Sequence, residues 1–311
     1  MPLGSIHALA VVVAFAIDHF FGEPPARLHP VVWMGRALSG IGAPWPTVAP
    51  RIAFARGAAA WVVGAACSVS VAWLAMETIR HGIGTSSSVA VFAEVTFIGL
   101  LLKPLLSWRM LHDEVAAVEH ALDRGLESGR AQLRHLVSRD TTELSGTAVR
   151  ESAIESLAEN LNDSLIAPLF WFAAGGLPAA ALYRFANTAD AMWGYRGDWE
   201  WAGKWAARAD DLLSYLPARL TAILIAVSTW QSPWKLRLVA RVTPSPNGGW
   251  PMGMLAIALN VRLSKTGVYV LNPDGAPAEA RHMWRALGLC SRCAWLSVAL
   301  TAALGFIVSR Q

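Results

Sequence analysis

The chain predicts an all-α integral membrane protein with about four firm transmembrane helices, two broken or re-entrant segments, and cytoplasmic helical loops. Three observations carry this expectation. Of 311 residues, 54% are hydrophobic and only 15% are charged, against about 25% charged in an ordinary soluble domain. Mean hydropathy is +0.39. The apolar residues gather into runs near the ~20 residues that a helix needs to cross a bilayer.

The strong spans are Leu3 to Phe21, Gly57 to Ile79, Val89 to Trp108 and Ala286 to Val308. Two weaker segments follow the middle of the chain. Leu165 to Tyr183 is interrupted by Pro168, Gly175, Gly176 and Pro178, and Leu216 to Trp230 is short. Both suit half-membrane or re-entrant pieces packed against protein, where irregular backbone is tolerated.

Basic residues set the orientation. The 22–56 loop holds Arg27, Arg36, Arg51 and Arg56 against Glu23, whereas the 81–88 loop has no Lys or Arg. Segment 232–285 carries Lys235, Arg237, Arg241, Arg262, Lys265, Arg281 and Arg285 against Asp274 and Glu279. The N-terminus is therefore expected outside, the 22–56 loop inside and the 81–88 loop outside. Residues 184–215 lie outside if both weak segments span, and inside if they form a re-entrant hairpin. The chain, 1–311, reads as a single membrane-embedded domain. Within it, 109–163 is a cytoplasmic helical excursion with "GLESGR" as a turn, and 232–285 is a cytoplasmic basic loop region. No Lys or Arg precedes the first apolar run and no small-residue cleavage site is evident, so a cleaved signal peptide is not expected.

Several function classes drop out. A net charge of +4 and a pI near 9.2 would suit nucleic acid. However, the 15 Trp lie in apolar surroundings without a Lys/Arg run, which fits membrane-interface anchoring instead. Cys67, Cys290 and Cys293 make no disulfide framework, and the Cys290/Cys293 spacing has no second pair to complete a zinc site. They read as small apolar residues.

The chemistry gathers in four blocks. In the first, Glu151, Glu155, Glu159, Asn162 and Asp163 fall within about 120° of a helical wheel, with Ile154, Leu157, Leu161 and Leu165 opposite. Carboxylates at this spacing repel one another. No Lys or Arg follows Arg150 until Arg184, so either a metal ion or arginines from elsewhere must meet them. In the second block, Tyr183, Asn187, Asp190 and Gly194 share a helix face. Lys204, Arg208, Asp211 and Tyr215 share another, and the Asp210–Asp211 pair suits Mg²⁺, which takes one or two carboxylates plus water and phosphate oxygens. In the third, "TPSPNGGWPMG" at 243–253, Asn247, Gly248 and Gly249 can adopt positive φ and present backbone N–H groups to an anion, although no P-loop or dinucleotide fingerprint occurs. The fourth is "DHFFGEPPARLHPVVWMGR" at 18–36. Its Asp18 closes an apolar span, where an acid is costly. His29 and Arg36 can face phosphate or the acidic helix.

These blocks, in this order, resemble the adenosylcobinamide-phosphate synthase (CobD/CbiB) family of cobalamin biosynthesis. The matching residues are "D..FGEPP.R.HPV..MGR" at 18–36, "RDT" at 139–141, "ESLAEN..DS..APLFW" at 155–171 and "YR..NT.D.M.GYR" at 183–196. They continue through "R.DDLL...PARLTA" at 208–222, "PSPNGGWPM" at 244–252 and "VRL" at 261–263. The resemblance implies an integral membrane enzyme that joins adenosylcobyric acid to (R)-1-amino-2-propanol or its O-phosphate through an amide bond, using ATP and Mg²⁺.

Under that resemblance, Glu155, Glu159, Asn160, Asp163, Asn187 and Asp190 are the catalytic candidates, with Glu155, Asp163, Asp190 and Asp211 toward the metal. Arg139, Asp140, Arg184, Arg208 and Arg219 would contact phosphate groups or corrin carboxamides, and the Asn247–Gly249 turn would cradle phosphate. The implied partners are the corrinoid, the aminopropanol or its phosphate, and the lipid bilayer, with a homo-oligomer or later corrinoid-assembly enzymes beside them. The implied location is the bacterial cytoplasmic (inner) membrane with the site at its cytoplasmic face, which favours the re-entrant reading of 165–230. Two other readings compete: a non-enzymatic membrane sensor on the same scaffold, which has no use for an uncompensated acidic face, and a transporter, which lacks the paired broken segments of an inverted repeat.

Overall fold

The computed structural model describes residues 2–42, 48–83, 87–195, 197–231 and 236–309. Its helices are α1 (Leu3–Phe21), α2 (Pro30–Gly42), α3 (Pro50–Ile83), α4 (Ser88–Leu102), α5 (Trp108–Arg124), α6 (Leu126–Leu133) and α7 (Gly146–Leu161). They continue with α8 (Ala167–Trp193), α9 (Lys204–Leu213), α10 (Tyr215–Thr229), α11 (Leu236–Ala240), α12 (Gly249–Leu259) and α13 (Ala280–Val308). One antiparallel hairpin interrupts them: β1 (Leu263–Lys265) pairs with β2 (Tyr269–Leu271), setting Lys265 opposite Tyr269.

Among the described residues five helical runs are long and apolar enough to cross a membrane: Leu3–Phe21, Pro50–Gly82, Ser88–Arg124, Gly146–Trp193 and Ala280–Val308. Lys204–Leu213 with Tyr215–Thr229 makes a sixth if the pair forms one bent span. All four expected strong spans lie inside these runs. On α3, Val62, Val63, Val71, Trp73 and Leu74 are each more than half exposed. A contiguous apolar surface of that kind belongs against lipid rather than water.

The chain divides into two compact units. One comprises Met1–Ser107, Ala167–Leu213 and Val298–Gln311, and the other Trp108–Ile166 and Ser214–Ser297. In the first unit α1 packs on α4, while α2, α3 and α9 pack on α8. Small residues permit close approach, as membrane helices generally require. A Cβ on Gly57 would fall 2.0 Å from the Ala202 carbonyl oxygen. Leu38, Ala53, Ala65, Phe185, Ala189 and Trp193 form a core there.

The expected interruption of 165–183 is found, and its cause is local. Gly175 and Gly176 leave helical geometry, Gly176 at φ +67°, a conformation open mainly to glycine. Pro178 follows and cannot supply an N–H to residue 174. A second irregularity was not anticipated: Asn162–Ile166 forms a π-helical turn between α7 and α8. Pro168 leaves the carbonyl of Ser164 without its α-helical donor, and a widened turn is one way a helix absorbs such a defect.

Other expectations shift. The 22–56 loop contains α2, and 232–285 contains α11, α12 and the hairpin rather than loop alone. In "GLESGR" only Gly125 breaks the helix, at φ +140°, and Leu126–Leu133 is helical. Tyr215 does not continue α9, because the helix stops at Leu213. Tyr183, placed by sequence on a polar face, is fully buried. Cys290 and Cys293 are buried as expected, but Cys67 is exposed. Residues 43–47, part of the 81–88 loop, Arg196 of the "GYR" motif and Lys235 lie outside the described residues.

Asp18 resolves into a buried ion cluster. Lys103, just past α4, places its Nζ 3.2 Å from Asp18 Oδ1 and 2.8 Å from Glu23 Oε2, and Glu23 Oε2 is 3.0 Å from His29 Nε2. The Asp18 side chain is 0% exposed and that of Lys103 4%. Lys103→Met removes the cation that Asp18 and Glu23 share and leaves Glu23 with His29, and breaking a buried pair from one side costs about 3–5 kcal/mol. Thermal unfolding in detergent is expected to show a large drop for Lys103→Met, with partial recovery in the Asp18→Asn/Lys103→Met double variant.

Burial alone raises the Glu23 carboxyl pKa, but hydrogen bonds with His29 and Lys103 outweigh it and hold the group below its ordinary value of 4.5. A depressed carboxylate contributes stability above its unfolded pKa and loses it as pH falls through the folded value. The unfolding midpoint is therefore expected to fall on acidification below about pH 4.5, and Glu23→Gln to flatten that part of the profile.

Candidate active site

The acidic stripe on α7 is not a solvated face. Glu151 and Glu155 are each 2% exposed, and Ile154, Leu157 and Leu161 on the other side are fully buried. Burying carboxylates requires partners, and they arrive from three directions. Arg139, in the segment before α7, donates from Nη2 to Glu155 Oε2 at 2.5 Å. Ser264 of β1 donates to Glu151 Oε2 at 2.5 Å, and Arg262 Nε stands 4.0 Å from Glu151 Oε1. Arg150 looks away from its neighbour Glu151 and grips Glu119 of α5 through Nε and Nη2, at 2.8 and 2.6 Å. Of the two compensations open from sequence, arginines from elsewhere are the one present for Glu151 and Glu155.

Past these pairs the stripe opens into a polar cavity of about 150 Å³, lined among others by Arg139, Glu155, Glu159, Asn160, Lys265 and Tyr269. Glu159 is exposed there, and its Oε1 lies so near the glycine turn that a Cβ on Gly248 would come within 3.1 Å of it. Asn160 Nδ2 donates back to the Ser156 carbonyl at 2.9 Å. Burial, followed by the nearby Glu155 and Glu159 carboxylates, pushes the Tyr269 phenol well above its ordinary pKa. Tyr269 therefore stays neutral and keeps its O–H proton.

Asp163 is not among these lining residues. It sits in the π-helical turn and accepts from Asn162 Nδ2 at 2.7 Å, while Asn162 Oδ1 accepts from Thr221 of α10 at 3.0 Å. The α-helical register that aligned Asp163 with Glu159 on the wheel does not hold through that turn.

The glycine turn works differently from expectation. Gly248 has φ −56°, and neither Asn247 nor Gly249 is among the positive-φ residues. The backbone N–H groups of Asn247 and Gly248 both donate to Ser245 Oγ, at 3.1 and 3.2 Å, so they are not open to cradle a phosphate. Ser245 instead closes a local turn just ahead of α12, its hydroxyl oxygen accepting from the N–H groups two and three residues on. The glycines serve close packing: a Cβ on Gly249 would meet the Ala240 carbonyl oxygen at 2.2 Å. Arg219 fixes the same turn, donating to Asn247 Oδ1 at 2.9 Å and the Pro246 carbonyl at 3.2 Å, with its guanidinium 3.5 Å over the Tyr215 ring. Asp140 likewise shapes a turn, accepting from the backbone N–H and the hydroxyl of Thr142, both at 2.9 Å.

The remaining candidates lie in the other unit. On α8 the buried Arg184 donates to Asn187 Oδ1 at 3.3 Å, and Asn187 Nδ2 reaches Asp210 of α9 at 3.4 Å. The Asp190 carboxylate folds over Gly194, where a Cβ would collide with Asp190 Oδ1 at 2.0 Å. Arg208 stands exposed on α9, and Asp211 is half-buried.

The metal assignment does not fit as one ligand set. Glu155 and Asp163 are eight residues apart, about 12 Å along a helix axis, and Glu155 is already matched by Arg139. Among the described residues no three His, Cys, Asp or Glu side chains are grouped to hold a metal ion.

Sequence reasoning missed Lys265, Tyr269, Ser264, Thr221 and Lys103 as partners. Four of these had a signal. Lys103 is a lone cation inside an apolar run, and "LSKTGVYVL" is two β-forming stretches about a Gly-containing turn.

These features define a multi-pass helical membrane protein with a small charge-lined cavity beside a buried acidic helix. The chain belongs to the CobD/CbiB family, since the family model described as "CobD/Cbib protein" matches residues 11–290. It is 37% identical over 279 residues to the probable cobalamin biosynthesis protein CobD of Methanothermobacter thermautotrophicus, covering 86% of this chain and 89% of that one. To the cobalamin biosynthesis protein CobD of Dehalococcoides mccartyi it is 32% identical over 306 residues, covering 94% and 96%. To the probable CobD of Thermococcus kodakarensis it is 38% identical over 268 residues, covering 85% of each. No solved structure matches the chain.

Arg139→Ala leaves Glu155 buried without its cation and is expected to cost about 3–5 kcal/mol. Unfolding in detergent should show that loss, with Arg139→Ala/Glu155→Gln more stable than Arg139→Ala alone.

Proposed function

We propose that this chain acts in cobalamin biosynthesis as an ATP-dependent acid–amine ligase. It would join adenosylcobyric acid to (R)-1-amino-2-propanol or its O-phosphate, giving adenosylcobinamide or adenosylcobinamide phosphate. Family membership supports the pathway. The observation that carries the reaction class is the cavity in which Glu155, Glu159, Arg139 and Lys265 meet, in a protein with only 15% charged residues.

A carboxylate does not condense with an amine unaided, because its leaving group would be oxide. In the proposed sequence a corrinoid carboxylate oxygen attacks the γ-phosphorus of ATP, ADP leaves, and an acyl phosphate forms. The amine nitrogen then attacks the acyl carbon, the C–N bond forms, and phosphate departs with the C–O pair. The amine must first lose its ammonium proton. Glu159, exposed in the cavity and held beside Gly248, is the carboxylate placed to take it. Glu155 is committed through one oxygen to Arg139, so its part is to hold the ammonium rather than to carry the proton away. Because ATP is cytoplasmic, the proposal sets the site at the cytoplasmic face of the bacterial inner membrane.

Purified protein in detergent, given adenosylcobyric acid, aminopropanol phosphate, Mg²⁺ and ATP, is expected to yield the amide by mass analysis of the corrinoid. Glu159→Gln is expected to lower kcat/KM by about 10²–10⁴-fold with unfolding unchanged. Wild-type protein that consumes no ATP and forms no amide would remove the reading.

A further inference from the structure

The 150 Å³ cavity has room for about five waters at ~30 Å³ each. Sites for drug-sized ligands run to about 300–1,000 Å³, so a whole nucleotide or corrin ring does not fit inside this one. What remains of the proposed substrates is the small amine.

Among the described residues two lining atoms have no hydrogen-bond or ion-pair partner, one carboxylate oxygen of Glu155 and the Lys265 ammonium nitrogen. Glu155 is 2% exposed, and its Oε1 is buried with no hydrogen-bond donor, the other oxygen being held by Arg139. A buried acceptor left unsatisfied costs about 1–3 kcal/mol or more when charged, so this oxygen calls for a donor; the Tyr269 hydroxyl interacts with the Glu155 carboxylate but leaves this oxygen short of a full hydrogen bond. Lys265 is half-buried in the same lining. Of the acids on α7, Glu155 is engaged with Arg139 and Glu151 with Ser264 and Arg262, while Glu159 lines the same cavity as Lys265. Tyr269, across the hairpin from Lys265, keeps its proton and adds no negative charge. Among the described residues the cavity thus presents one carboxylate oxygen without a donor and an ammonium without an acid partner, beside the exposed Glu159 carboxylate, a lining suited to a compact molecule with an ammonium at one end and an anionic group at the other.

We infer that Lys265, carried by the β1–β2 hairpin, is the specificity-determining residue of this cavity. It receives the anionic end of a small amino-alkyl phosphate while Glu155 receives the ammonium. The inference rests on the ligase reading for its reaction, but its binding content stands separately. It assigns a role to a hairpin that falls in a stretch the sequence presents as a basic loop. It also gives Tyr269 a positioning role, as the neutral wall between the two charges.

The test uses full-length protein in detergent, with aminopropanol phosphate and unphosphorylated aminopropanol as paired probes. For wild type, the phosphorylated amine is expected to raise the unfolding temperature well beyond the free amine, since binding to the native state stabilises it. Lys265→Met is expected to abolish that difference and Lys265→Arg to keep most of it. In the amide assay, Lys265→Met should raise KM for the phosphorylated amine by about ten- to a hundredfold, the scale of one charge-assisted hydrogen bond. Its kcat, and its KM for the free amine, should stay within about twofold of wild type.

Equal effects on both amines, no effect on either, or a fall in kcat at constant KM would overturn the inference. If wild type forms no amide at all, the ligase reading falls and the thermal shifts alone decide the role of Lys265. A buried water at Glu155 with no ligand stabilisation would overturn it too.

Discussion

A carboxylate taken out of water must find a cation or a strong donor, and in this chain that requirement ties together segments far apart in sequence. Asp18 and Glu23 meet Lys103, Glu119 meets Arg150, Glu155 meets Arg139, and Glu151 meets Ser264 and Arg262. Each pairing fixes one helix end or loop against another. Desolvation makes such pairs poor sources of net stability, yet breaking one from a single side is expensive. Their effect is therefore on specificity of arrangement. α7 can pack with apolar residues on one side and acids on the other, both buried, only because Arg139 and the hairpin are where they are.

That constraint also sorts the acidic stripe into different uses. On the helical wheel Glu151, Glu155, Glu159 and Asp163 look equivalent, spaced by four. In the structure Glu151 anchors the hairpin, Glu155 holds Arg139, Glu159 stays exposed beside Gly248, and Asp163 is drawn into the π-helical turn with Asn162. Repulsion among four like charges is relieved by giving each a different neighbour. A single divalent ion spanning them is not required.

Much of the fold was legible from apolar run length, because a bilayer sets a length that no other environment demands. Breaks were legible where the residue itself causes them, as at Gly175 and Gly176. The π-helical turn was not, since it arises from a conflict between Pro168 and the preceding carbonyls rather than from any residue inside it. At the site, the wheel found the acidic helix but could not find its partners. Arg139, Ser264 and Lys265 lie 16, 113 and 110 positions from Glu155 or Glu151, and periodicity carries no information at that range. The glycine turn misled for a related reason. Asn247, Gly248 and Gly249 permit positive φ, but permission is not use. Ser245 captured the N–H groups and the absent Cβ atoms were spent on contact with Ala240 and Glu159.

The hairpin is the element in which these threads join. Its first strand supplies Ser264 to a buried acid and, one residue on, Lys265 to the cavity. Alternation along a strand sends neighbouring side chains to opposite faces, so Ser264 and Lys265 cannot both face Glu151. One is used to lock the strand to α7, and the other is thereby presented away from that contact with its charge uncompensated. The register that pairs Lys265 with Tyr269 then sets a neutral phenol, rather than a carboxylate, directly across from the lysine. A carboxylate there would have closed a salt bridge and silenced the cation. The strand pairing thus keeps Lys265 half-buried in the cavity lining with no carboxylate directly across the hairpin from it.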